Sequence, residues 1–215
     1  MSIDAYHPET KEVLQMRAWH DPAEDPFGAI VPPEIGLTGG IYTSIAYRFP
    51  SAQVGADIFG GTREGYAYPR ISCGTPPISE LSKRLLDLEL GPEFPDKDKY
   101  DVLLTASGMS AIFLVVFALA AEGGEFISSP YLYGGTYHLF TEYLPRYHMY
   151  CHMIENPCRL NEWKQAVTET PQARFLFAED DANPTPFKLD NCAIAEIAHA
   201  AGKLYVCDRT IGTPY

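Results

Sequence analysis

The sequence predicts an α/β protein built on a mainly parallel sheet. Two observations predict it. From residue 100 onward, short apolar runs of strand length alternate with longer stretches of helical spacing. The connections between them are short and rich in Gly, Pro, Asn and Asp, which suits strand–helix–strand units rather than hairpins.

The elements follow in order. Residues 1–60 show weak periodicity, broken by Pro22, Pro26, Pro32, Pro33, Gly36, Gly39 and Gly40. They read as an extended arm with one short helix over residues 10–18, packing on its own domain or on a neighbouring subunit. Residues 61–215 read as the first part of a larger domain. Ile78, Leu81, Leu85 and Leu88 mark one helical face, with Pro76 and Pro77 in the first turn and Gly91 as the stop. Strands are expected at 100–105, 125–129, 147–154, 174–178 and 204–207. Helices are expected at 110–121 (mostly buried), from Gly134 to about 144, at 161–167 around Trp163, and at 190–201 with Ile194, Ile197 and Ala198 inward.

Composition narrows the function classes. The chain has 215 residues and a formal net charge of -12, with no basic cluster of the kind a nucleic-acid footprint needs. Residues 111–121, the most apolar stretch, are too short to span a bilayer. The five cysteines are scattered without a C-x-x-C pair, so neither a disulfide framework nor a zinc ribbon is expected, and a reducing, cytoplasmic setting is favoured. The start lacks the basic and apolar regions of a signal peptide. His148, Cys151 and His152 lie close in sequence, but on a strand Cys151 faces away from the other two, so no metal site is expected.

In an open parallel sheet, ligands bind at the C-terminal strand ends. Four segments fall there. Ser107, Gly108 and Met109 open a helix, where free backbone N–H groups and the dipole favour an anion; a tight strand–helix turn would look the same. Tyr133 stands beside Gly134 and Gly135, so its ring can lie against a planar ligand or simply pack in the core. Asn183 precedes Pro184, either as a hydrogen-bond donor to a ligand or as an ordinary turn. Asp208 closes an apolar strand. A carboxylate there pairs with something or binds a cation; Arg209 is a candidate, but neighbouring strand residues point to opposite faces. Upstream, Arg70 beside Tyr68 suits bidentate phosphate binding, or a plain surface loop.

Taken together and in this order, Y-A-Y-P-R-I-S, S-G-M-S-A-I, Y-G-G-T-Y, E-D-D-A-N-P-T-P and V-C-D-R-T-I-G-T-P-Y resemble the Cys/Met-metabolism family of pyridoxal-phosphate (PLP) enzymes. That family includes cystathionine γ-synthases and lyases, methionine γ-lyases and O-acylhomoserine sulfhydrylases. The resemblance runs from about residue 39 to 215.

It implies a fold-type-I large domain, incomplete in this chain, and a homo-oligomer (a dimer of dimers) with its site shared between subunits. Tyr68 and Arg70 would reach the neighbouring subunit's cofactor phosphate. Ser107, Gly108 and Met109 would form the phosphate turn. Tyr133 would stack on the ring and handle protons. Glu179 and Asn183 would lie near the cofactor. Asp208 would pair with the pyridine nitrogen, supported by Thr210. A carboxylate at that nitrogen keeps the ring an electron sink, which permits deprotonation at Cα and loss of a group at the β or γ carbon.

Two departures from the family pattern affect substrate choice. Arg209 stands where Asn is common after the Asp. Cys73-Gly74-Thr75-Pro76 stands where Asn-Pro-Thr is usual. The family's cofactor-binding lysine follows the Asp-x-Thr segment in a Ser-x-x-Lys context, and residues 209–215 hold no lysine. Lys203 precedes Asp208 and reads as a solvated surface residue. The resemblance therefore implies an N-terminal half, inactive alone, whose partner is the C-terminal half of the same enzyme. The expected function is a PLP-dependent lyase or γ-replacement transferase acting on sulfur amino acids. Met109 and Gly135 lean it toward a cystathionine-type lyase or γ-synthase. The competing reading is a non-catalytic fragment or paralogue that keeps the scaffold for assembly.

Overall fold

The computed structural model describes residues 46–68, 70–72, 75–91, 94–121, 123–184 and 187–212. The helix expected at 10–18 lies outside them. The chain divides into two compact units after Leu104.

In the first unit, helix α1 (Ala52–Phe59) is capped by Ser51, whose side chain accepts from the Val54 N–H. This helix falls inside the stretch read as an extended arm. Its short, one-sided apolar pattern, with Ile58 buried, gives too little periodicity to stand out in sequence. A small antiparallel ribbon follows, β1 (Tyr66–Tyr68) against β2 (Ile71–Ser72). Helix α2 (Pro76–Leu90) matches its expected start and stop, and Gly91 supplies a positive φ of 82°.

Residues 100–105 differ from expectation. They form no strand, and Leu103 is 81% exposed. A β-type sequence becomes a strand only when another strand accepts its backbone hydrogen bonds, and none among the described residues does.

The second unit is a three-layer α/β arrangement. Its parallel sheet runs β4 (Tyr150–Met153), β3 (Glu125–Ser128), β5 (Ala173–Glu179), β6 (Leu204–Asp208). Side chains alternate across it. Phe126, Phe175 and Phe177 point to one face, packed with helix α3 (Gly108–Ala120) and with Phe140 and Leu144. Ile127, Leu176 and Ala178 point to the other, packed with α5 (Leu160–Glu169) and α6 (Asn191–Ala200). Phe126 stacks on Phe175 at 4.7 Å and meets Phe140 edge-on at 4.9 Å, which ties two strands to the Phe140 segment that covers them beside α3.

Three further expectations are corrected. Helix α3 is not mostly buried: Ile112, Val116 and Ala120 are covered, but Phe113, Leu114, Val115 and Phe117 are 37–47% exposed. Only one stripe of a uniformly apolar helix meets the sheet. The single helix expected from Gly134 is α4 (Gly134–His138), then a π turn over Leu139–Tyr143 and a 3-10 turn over Leu144–Tyr147, where Pro145 prevents regular continuation. Lys203 is buried, not solvated. Its ammonium donates to the carbonyls of Pro171 (2.7 Å) and Ala173 (2.5 Å). No helix among the described residues is long and apolar enough to cross a membrane.

Candidate active site

Strands β5 and β6 run parallel and in register, so Glu179 lies beside Asp208 at their C-terminal ends. The loop after β3 brings Tyr133 there, and the start of α3 brings Gly108 and Met109. Together with Asn183 and Thr210, these residues line one cavity of about 220 Å³. Four separated sequence segments thus converge, three of them just beyond the C-terminal ends of β3, β5 and β6.

Each wall has a local cause. Ser107 is the N-cap of α3: its extended backbone starts the helix, and its hydroxyl accepts from the Ser110 N–H at 3.1 Å. With its side chain engaged there, Ser107 holds the turn, while Gly108 and Met109 face the cavity. The first helical N–H groups have no intrahelical acceptor, and nothing lies within 4 Å of where a Gly108 side chain would begin. Backbone can therefore approach an anion closely.

Tyr133 precedes α4 and is 51% exposed. A Cβ on Gly135 would lie 2.7 Å from the Tyr133 ring and 3.2 Å from the Met109 sulfur. The Gly135 position must therefore stay small for the ring to hold this pose.

Asp208 is held by Thr210, whose backbone N–H (2.9 Å) and hydroxyl (2.5 Å) both donate to Asp208 Oδ1. Arg209 reaches a different acid. Its Nε lies 3.6 Å from Oδ2 of Asp180, a residue that is 4% exposed.

Glu179 is 5% exposed, and both its oxygens accept from the Tyr133 N–H, at 2.8 and 2.9 Å. Burial pushes its carboxyl above the ordinary range and the Asp208 charge adds to this, while the Tyr133, Thr136 and Asn183 donors pull it down. Thr136 and Asp180 were not assigned from sequence. Thr136 stood inside the quoted Y-G-G-T motif; Asp180 was one acid in a loop run, with no spacing signal to separate it.

Tyr68 and Arg70 belong to the first unit, where the guanidinium lies 5.2 Å from the Tyr68 ring centroid. His152 engages Glu125 at 2.5 Å, and burial pushes the Cys151 thiol up to about 12, so that cysteine stays a thiol at neutral pH. Among the described residues, no three His, Cys, Asp or Glu side chains gather as metal ligands.

A helix start with open backbone N–H groups, an exposed aromatic ring and a carboxylate held by Thr210 thus surround one cavity. Comparison gives the family. The profile described as "Cys/Met metabolism PLP-dependent enzyme" matches residues 30–215. The chain belongs to that family, and the family's cofactor is pyridoxal 5'-phosphate. It is 32% identical over 212 residues to a homocysteine synthase of Schizosaccharomyces pombe, covering 99% of this chain and 44% of that protein. It is 31% identical over 196 residues to an L-methionine gamma-lyase of Pseudomonas putida, covering 91% and 44%. The chain thus spans less than half the length of these relatives. A Campylobacter jejuni structure described as an O-acetylhomoserine (thiol)-lyase, carrying a pyridoxyl-lysine phosphate, superposes with a TM-score of 0.70 at 26% identity over 82% of this chain and 40% of that one. A cystathionine gamma-lyase from Lactobacillus plantarum shares the fold with a TM-score of 0.73, over 100% of this chain and 46% of that one, at 22% identity.

The residues present fit the cofactor. The α3 start suits its phosphate, the Tyr133 ring its planar face, and the Thr210-held carboxylate of Asp208 its ring nitrogen.

Proposed function

We propose that this chain supplies the cofactor-binding part of a trans-sulfuration enzyme that cleaves or forms C–S bonds at the β or γ carbon of sulfur amino acids or O-acylhomoserine. The observation that carries this reading is the convergence of Gly108, Met109, Tyr133 and Asp208 on one cavity. The bound cofactor supplies an electron sink for Cα deprotonation. This chain's residues do the rest. Gly108 and Met109 orient through the phosphate, and Tyr133 covers the ring and moves a proton at its hydroxyl. Asp208 keeps the ring nitrogen protonated, and Asn183 donates near the ring. Tyr68 and Arg70 serve the cofactor phosphate of a neighbouring subunit, within a cytoplasmic dimer of dimers. The covalently linked lysine comes from outside residues 1–215.

Product analysis on the full protein tests the reading. Ammonia and an oxoacid from cystathionine mark a lyase; a new thioether or thiol from an activated homoserine marks a transferase. Asp208→Asn is expected to abolish either activity while leaving the fold intact. Full activity in that variant, or no PLP uptake by the full protein, overturns it.

A further inference from the structure

Behind the cavity wall lies a polar cluster that the proposed chemistry does not use. Asp180 follows β5 and is almost wholly buried. Its Oδ1 accepts from the Asn191 side-chain amide at 2.6 Å, and its Oδ2 faces Arg209 Nε at 3.6 Å. Its own N–H donates to the Asp208 carbonyl at 2.9 Å. Asn191 opens α6 and also accepts from the Tyr205 hydroxyl and the Cys207 thiol, both on β6. A Cβ on Gly212 would lie 3.3 Å from Asp180 Oδ2 and 3.4 Å from Arg209 Nε, so the chain after β6 folds closely over this ion pair.

The pair sits at the pivot of the turn that carries the site. Asp208, Thr210 and Ile211 line the cavity, while Arg209, between them, is held from behind by Asp180. Asp180 thus bonds β6 through its backbone, α6 through Asn191, and the turn through Arg209. A buried carboxylate is retained at a cost unless it is paired, and breaking such a pair leaves an uncompensated charge.

We propose that Asp180 and Arg209 are positioning residues: their ion pair fixes the 208–211 turn and thereby aims the Asp208 carboxylate at the ring nitrogen of the cofactor. Arg209, a departure from the common family pattern, becomes one half of a latch whose other half is Asp180. The proposal rests on the reading of Asp208 as the nitrogen's partner.

The test compares affinities of the full protein for pyridoxal 5'-phosphate and its 1-deaza analogue, which lacks the ring nitrogen, by fluorescence titration. The wild type is expected to favour the natural cofactor by about tenfold or more, as for a hydrogen bond involving charge. Arg209→Gln is expected to reduce that ratio to near one, with the affinity for the deaza analogue little changed. Asp180→Asn, which keeps an acceptor for Asn191, should do the same and serves if Arg209→Gln fails to fold. A general loss of structure would weaken both ligands together and leave the ratio intact; that result overturns the latch. A wild-type ratio near one instead overturns the underlying assignment of Asp208.

Discussion

Both carboxylate oxygens of Glu179 accept from the single backbone N–H of Tyr133, at 2.8 and 2.9 Å, across 46 residues of sequence. One acid at a strand end thereby fixes where the loop after β3 stops and where the Tyr133 ring begins. The energetics are opposed: the bonds favour the ionised carboxylate, burial and the Asp208 charge disfavour it, and burial is the largest influence.

A pH dependence follows from that balance. A carboxyl raised in the folded state binds more protons folded than unfolded, so stability falls as pH rises from the ordinary glutamate value of 4.5 through the raised value. Glu179→Gln should keep an acceptor for Tyr133 and remove this decline. Urea unfolding at several pH values is the measurement; a wild-type and variant difference that does not change with pH refutes the assignment. Glu179→Ala should instead cost about 1–3 kcal/mol, because a half-buried N–H loses its acceptor.

Gly135 sets the ring's pose. Alanine there gains helix propensity, roughly 0.5–1 kcal/mol, against a clash that the half-exposed ring relieves by swinging away. Stability of Gly135→Ala should therefore change little while PLP binding weakens. A crystal structure of the variant with Tyr133 unmoved would contradict the steric account.

The elements were largely legible because α/β chains write their period plainly. The runs ending at Glu179 and Asp208, and the helix stops at Gly91 and Gly202, follow from local chemistry. What escaped were pairings. Residues 100–105 have a strand's composition, but a strand needs a partner, and composition does not say whether one is present. Lys203 reads as solvated because lysine usually is; the carbonyls of Pro171, before β5, and of Ala173, at its start, accept its ammonium and make burial favourable. The site motifs at Tyr133 and Asp208 are visible because they follow strands, and Ser107–Met109 because Ser and Gly there open an apolar helix. Asp180 is not, since its role depends on Asn191 and Arg209, which are 11 and 29 residues away in sequence and meet it only in the fold.

Ser107 is expected to act through the backbone. Ser107→Ala removes the cap on the Ser110 N–H and should cost about 1 kcal/mol, lowering Tm by roughly 2–4 °C. The loosened turn should weaken binding of pyridoxal 5'-phosphate and leave pyridoxal, which has no phosphate, nearly unaffected. Equal weakening of both ligands would show that the turn does not hold the phosphate.

Lys203 is a structural residue despite standing next to the strand that ends in Asp208. It precedes β6, and five residues at about 3.3 Å each place its backbone roughly 16 Å from that carboxylate, beyond the reach of a lysine side chain. Its ammonium is also committed to the Pro171 and Ala173 carbonyls, joining the turn before β5 to the start of β6. Lys203→Met retains the aliphatic stem but leaves two acceptors without their donor, so it should destabilise the fold by about 1–3 kcal/mol. The visible absorbance of the cofactor-loaded full protein should be unchanged. Borohydride reduction followed by peptide mapping checks the point directly: the pyridoxyl group is expected on a lysine outside residues 1–215, and a pyridoxyl group on the Lys203 peptide would overturn both this placement and the reading of the cavity.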